Sequence, residues 1–170
     1  MSHANPIEAN YLNDNSKVTE VELIYRNKVK SSERPTVKLS NDAYDILFKS
    51  WNMDKIELQE QFKIMLLDRK NSCIGISTLA TGGISGCLVD LRLAFATALK
   101  SRASCIILAH NHPSGNTTPS EADKHITQKF AEAGKLLDLN VLDHLIITKE
   151  GYTSFADEGL MTRSSKPSDI

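Results

Sequence analysis

The sequence predicts an α/β or α+β sandwich around one core, with strands and helices mixed along the chain. Three observations predict it. Residues 62–67 form a run of strand length that is apolar apart from Lys63, and residues 104–109 form a second, apolar after Ser104. Residues 41–51 place Tyr44, Leu47, Phe48 and Trp51 at helical spacing. Thr118-Pro119-Ser120-Glu121 is a helix-start signal that follows the second run closely. The chain has 170 residues, of which 41% are hydrophobic, enough for one sizeable core.

In chain order, residues 1–16 are rich in Asn, Asp and Ser and read as a loose arm. Residues 19–25 read as a strand with Val21, Leu23 and Tyr25 on one face. Residues 28–36 are polar, contain Pro35 and should be a loop. The helix over 41–51 can be capped by Ser40 or Asn41. A buried strand over 62–67 is followed by a turn at 68–71 and a second strand at 73–79, closing at Thr81-Gly82-Gly83. A helix over 91–100 leads into the strand at 104–109, which delivers the chain to His110. The next helix takes Thr118 as its N-cap, Pro119 at its first position and Glu121 as the capping-box partner. It should end near Gly134, where a left-handed C-cap is natural. Residues 141–148 read as a strand, Glu150-Gly151 as a turn and residues 152–155 as a further strand. This organises the chain as an arm with one strand (1–39), a domain (40–160) and a polar tail (161–170).

The net charge of −1 supplies no bulk attraction to nucleic acid or anionic membrane, and Lys28, Lys30 and Arg34 read as a solvated loop. The three cysteines, Cys73, Cys87 and Cys105, are scattered without a CxxC, so neither a disulfide framework nor a thiolate zinc site is expected. With no signal-peptide pattern and no run long enough to span a bilayer, the expectation is a soluble cytoplasmic protein.

Chemistry concentrates in His110-Asn111-His112-Pro113-Ser114-Gly115, with Ser120 and Asp123 downstream. On an extended chain side chains alternate, so His110 and His112 point one way and Asn111 the other. Pro113 should end the strand, presenting both imidazoles at a sheet rim. Asp123 lies one turn into the next helix, on the face it shares with Ser120, and can add a third ligand. Two His and one Asp around zinc leave a position for water, whose pKa the ion lowers toward about 7. A hydrolase also needs a base, and Glu57 and Glu60 are the candidates before the motif. Glu60 precedes the strand at 62–67 and can reach the same rim. Ser120 can donate to a developing oxyanion. HxH alone more often marks two structural histidines, and the capped helix with Ser120 and Asp123 lifts this instance above that reading. His125 should be exposed and His3 lies in the arm. Asp143 and His144 read as a structural pair, or as orienting partners of the site.

The stretch from His110 to Asp123 resembles the JAMM motif of the MPN superfamily, HxH followed by SxxD. Within it the chain is similar to the RadC family over roughly residues 41–160. The similarity rests on Ala109 to Gly115, Pro119-Ser120, Ala133 to Leu137, Leu142 to Ile146, Glu60-Gln61-Phe62 and Tyr152 to Gly159. The resemblance implies a cytidine-deaminase-like sandwich, a curved mixed sheet flanked by helices. It implies Zn2+ held by His110, His112 and Asp123, Glu60 as general acid/base and Ser120 as oxyanion stabiliser. It implies attack of a metal-activated water on a peptide or isopeptide carbonyl, hence a protein or peptide substrate. Longer members carry a DNA-associated helix-hairpin-helix segment. The residues before 40 contain no such pair, so DNA is a further candidate partner without support from charge. The family's DNA-repair label is an association. Leu91 stands where the family commonly has Pro, which predicts a slightly different helix start. Two other functions compete with the peptidase: a nucleic-acid-processing enzyme using Arg92 and Lys124 near the motif, and an interaction module without chemistry.

Overall fold

The computed structural model describes residues 28–83 and 86–161. The arm over 1–16, the strand expected at 19–25, His3 and the tail from 162 lie outside the described residues. The ordered elements are α1 (Ser40–Phe48), β1 (Gln61–Leu67), β2 (Cys73–Thr81), α2 (Leu91–Lys100), β3 (Cys105–Asn111), α3 (Glu121–Leu136), β4 (Asn140–Ile147) and β5 (Tyr152–Ser154).

The strands form one five-stranded sheet in the order β2-β1-β3-β4-β5. β1 pairs antiparallel with β2 and β3, and β4 pairs antiparallel with β5. β3 and β4 are parallel, with α3 as the crossover between them. The apolar runs that mark β1 and β3 are strands buried on both faces, as such runs require, and so is β4 from Asp143 onward.

The curved sandwich implied by the family resemblance is not what forms. Among the described residues the sheet is open, with β2 and β5 as separate edges that do not meet. Helices complete both faces. One cluster packs Ala43 and Leu47 of α1 on Met65, Ile107, Leu145 and Ile147. The other packs Phe95 of α2 and Phe130 of α3 on Phe62, Ile64, Ile106 and Leu108. Among the described residues helices thus pack on both faces, so neither face relies on curling of the sheet for its burial.

Several ends differ from the sequence expectation. α1 stops at Phe48. Trp51 lies beyond it, still buried, because its indole is held elsewhere. The N-cap of α1 is Leu39, and Asp42 does the capping by accepting from the Lys38 and Leu39 N–H groups at 2.8 and 3.0 Å. Asp90 caps α2 by accepting from Arg92 N–H at 2.9 Å. Leu91 therefore sits at the first helical position, where a proline also fits.

α3 continues past Gly134 to Leu136, and the left-handed residue is Asp138, with φ +52°. Leu139 N–H donates to Gly134 C=O at 2.9 Å, closing a Schellman-type end. Gly134 is needed for another reason: a Cβ there would collide with the Leu139 carbonyl oxygen.

Candidate metal centre

β3 runs to Asn111, and the ladder gains one more bond beyond it, from His112 N–H to Ile147 C=O at 3.1 Å. Pro113 then ends the pairing. Gly115, at φ +77°, turns the chain away, its N–H donating to His112 C=O at 3.1 Å.

The cap of α3 lies two residues later than the sequence signal suggested. Ser120, not Thr118, is the N-cap. Its Oγ accepts from Asp123 N–H at 3.1 Å, while Asp123 Oδ2 accepts from Ser120 N–H at 2.7 Å and Ser120 O–H at 2.6 Å. Thr118-x-x-Glu121 and Ser120-x-x-Asp123 both satisfy the capping-box pattern. The structure selects the pair whose carboxylate packs against His110. Glu121 instead pairs with Lys124 at 2.6 Å.

His110, His112 and Asp123 come together. The two Nε2 atoms lie 2.9 Å apart, and Asp123 Oδ1 is 3.0 Å from His110 Nε2. Asp123 Oδ2 is 3.6 Å from His112 Nε2. Together they form a cluster that could hold a metal ion, with ligand atoms all within 4.8 Å of one another. The donor chemistry fits one. His112 Nδ1 lies 2.6 Å from Asn116 C=O, which can only accept, so Nδ1 carries a proton there. A neutral His112 then turns an Nε2 lone pair to the centre. Two imidazole nitrogens and a carboxylate are a zinc-type donor set.

The electrostatics agree. Burial acts to raise the Asp123 pKa, but hydrogen bonds with His110, His112 and Ser120 hold it far below the usual carboxylate range. Asp123, against the effect of burial, raises the His112 pKa, and the Asn116 carbonyl and Glu60 add to this. The centre is negative and favours a cation.

Glu60 lines the same cleft, a cavity of about 670 Å³ shared with His110, His112 and Asp123. Register explains its position. Phe62 pairs with His110, so two residues further toward the rim Glu60 comes level with His112. Its backbone is fixed by Gly82 and Gly83: Glu60 N–H donates to Gly83 C=O at 2.9 Å, and Glu60 C=O accepts from Gly82 N–H at 2.8 Å. The other candidate base, Glu57, is drawn off to Lys149 at 2.6 Å. Val89, Leu91 and Ile126 give the cleft an apolar side.

Asn111 has a role the sequence reading did not assign. Its Oδ1 accepts from Trp51 Nε1–H at 3.0 Å and Gln61 N–H at 2.8 Å. Its Nδ2 donates to Ile56 C=O at 2.6 Å and Gln59 C=O at 3.0 Å. The amide therefore grips the residues on both sides of Glu60.

Asp143 and His144 do not pair through their side chains, because neighbours on a strand face opposite ways. Asp143 accepts from Ser154 Oγ–H, Ala156 N–H and the backbone N–H of His144, away from the centre. His144 does reach the centre: its Nε2 lies 2.8 Å from His110 Nδ1. Burial, with His110 beside it, keeps the His144 pKa well below the usual histidine value. Thr127, which the sequence reading passed over, lies with its hydroxyl 2.6 Å from His144 Nδ1. Its position four residues after Asp123, on the same helical face, was the available signal. His125 is exposed. Arg92 and Lys124 are each paired with a near neighbour in sequence, Asp90 and Glu121. No helix among the described residues is long and apolar enough to cross a membrane.

Comparison with known proteins adds independent findings. A family model described as the RadC-like JAB domain matches residues 37–160. A UPF0758 protein of Flavobacterium johnsoniae is 50% identical over 101 residues, covering 59% of this chain and 44% of that protein. Two Escherichia coli proteins, UPF0758 proteins YkfG and YfjY, are 45% and 46% identical over 103 residues. Those matches cover 61% of this chain and 65% and 64% of the relatives. The chain thus spans less than two thirds of the length of the relatives it matches.

Proposed function

Since the chain belongs to the family of RadC-like JAB domains, we propose that it is a zinc-dependent hydrolase acting on a peptide or isopeptide carbonyl. The observation that carries this reading is the convergence of His110, His112 and Asp123 in a cleft that Glu60 also lines. Bound zinc would supply an activated water, with pKa lowered toward about 7, and polarise the carbonyl under attack. The two Nε2 atoms and the Asp123 carboxylate would hold the ion. Glu60 would accept the water's proton at a carboxylate oxygen and return it to the leaving amine. Ser120 would turn the hydrogen that Asp123 Oδ2 now accepts toward the carbonyl oxygen as charge develops there. The apolar side of the cleft suits the side chains of an extended protein or peptide substrate. The three cysteines are free, in keeping with a cytoplasmic enzyme.

Elemental analysis tests the metal centre. About one zinc per chain is expected in the wild type and none in the His110→Ala, His112→Ala double variant. Hydrolysis of a panel of peptides and isopeptide conjugates tests the chemistry. Glu60→Gln should keep the zinc and lose turnover. Full turnover in that variant would remove Glu60 from the mechanism.

A further inference from the structure

A chain of three hydrogen bonds joins two of the candidate ligands by a route outside the metal position. His110 Nδ1 lies 2.8 Å from His144 Nε2, and His144 Nδ1 lies 2.6 Å from Thr127 Oγ1. Thr127 Oγ1–H donates to the Asp123 carbonyl at 2.5 Å. We propose that His144 and Thr127 are positioning residues of the metal centre, a buried strut that fixes the tautomer and orientation of His110 relative to Asp123. This rests on the metal-centre reading above.

Counting hydrogens supports the assignment. The Thr127 hydroxyl has a single hydrogen, and the Asp123 carbonyl takes it. Toward His144 the hydroxyl can only accept, so His144 Nδ1 carries a proton. The His144 ring is fully buried, with the Phe155 and Phe62 rings at 4.9 and 5.5 Å, and among the described residues no carboxylate is hydrogen-bonded to the ring. With Nδ1 donating to Thr127, Nε2 is the ring nitrogen left to accept from His110. His110 Nδ1 must then donate to it. That sets the proton of His110 Nδ1 and turns its Nε2 toward Asp123 and His112, where a metal ligand has to face.

The same order follows from the other end. An imidazole bound through Nε2 carries its proton on Nδ1 and donates it outward. A tautomer change in His144 alone would break both of its bonds.

The topology gives the strut its purpose. His110 is on β3 and Asp123 on α3, with the crossover loop between them. His144 on β4, the neighbour of β3, is the fixed point between the two. Thr127 and His144 are both buried, so the strut is shielded from competing water. A Thr hydroxyl turned back to the carbonyl four residues earlier is ordinary in a helix. Here its remaining acceptor capacity is aimed at a histidine that touches a ligand.

The test pairs wild-type spectroscopy with metal affinity. In 15N-resolved histidine spectra of the metal-free wild type, His144 should carry its proton on Nδ1; a proton on Nε2 would overturn the proposal without any variant. Zinc affinity is then read by competition with a chromophoric chelator. Thr127→Val, nearly isosteric, should keep the fold and weaken zinc binding roughly ten- to a hundredfold. Thr127→Ser should restore it. Wild-type affinity in a folded Thr127→Val protein would overturn the strut and leave the metal centre standing. A wild type that takes up no zinc would overturn the metal centre itself.

Discussion

Asn111 lies between the two histidines, yet faces the opposite side of the sheet. Its four hydrogen bonds use both amide hydrogens and load the oxygen twice, so the orientation of the amide follows from its partners. Asn111→Ala would strand two N–H donors and two carbonyls, each costing about 1–3 kcal/mol when buried and unmet. Allowing for relaxation and entering water, a loss of about 3 kcal/mol is expected in urea unfolding. Zinc stoichiometry should stay at the wild-type value, because the histidines face the other way. Turnover should fall, because Glu60 loses the grip on both its neighbours. A variant as stable as wild type would mean that the segment before β1 is held by something else.

At the scale of the element, α3 carries both a ligand and its own boundary signals. Glycine inside a helix is ordinarily destabilising by about 1 kcal/mol relative to alanine. Gly134→Ala should nevertheless destabilise this protein, by about 1–3 kcal/mol, because its methyl would meet the Leu139 carbonyl. Asp138→Gly should do the opposite and add about 0.5–1 kcal/mol, since the position is left-handed. Thermal melts of the two variants should move in opposite directions; movement in the same direction would refute this account of the helix end. At the other end, Ser120→Ala removes the cap, for about 1 kcal/mol. It also frees Asp123 from a hydrogen bond it now accepts, so zinc affinity should change along with stability.

For the whole molecule, an ion held by His110, His112 and Asp123 would cross-link the sheet to the crossover helix. The two apolar clusters hold α1 on one face and α2 and α3 on the other, and they do not depend on the ion. The metal-free protein should therefore fold. Free zinc at a hundred times its Kd should add about 2.7 kcal/mol, because only the folded state assembles the three ligands. For a chain of this size that is a rise in Tm of roughly 5–10 °C, reversed by chelator. Equal melting temperatures with and without zinc would be incompatible with a site formed by β3 and α3 together.

The sequence by itself determined the candidate ligand cluster and the main elements. HxH at a strand end and SxxD at a helix start are local patterns, and alternation and capping act over a few residues. Glu60 was legible too, because its distance from the β1 run places it at the rim. Where the sequence misled, at Thr118 and Gly134, it was over the ends of α3, which local signals alone do not settle. Thr118 and Ser120 both offer a capping box, and burial of Asp123 against His110 decided between them. Gly134 reads as the helix end, but the close approach of Leu139 reserves it for packing, and the left-handed turn falls at Asp138. The open sheet, the Asn111 clamp and the Thr127–His144 strut were decided only by tertiary structure. Each depends on strands and helices distant in sequence meeting at a fixed register, and no local pattern encodes that register.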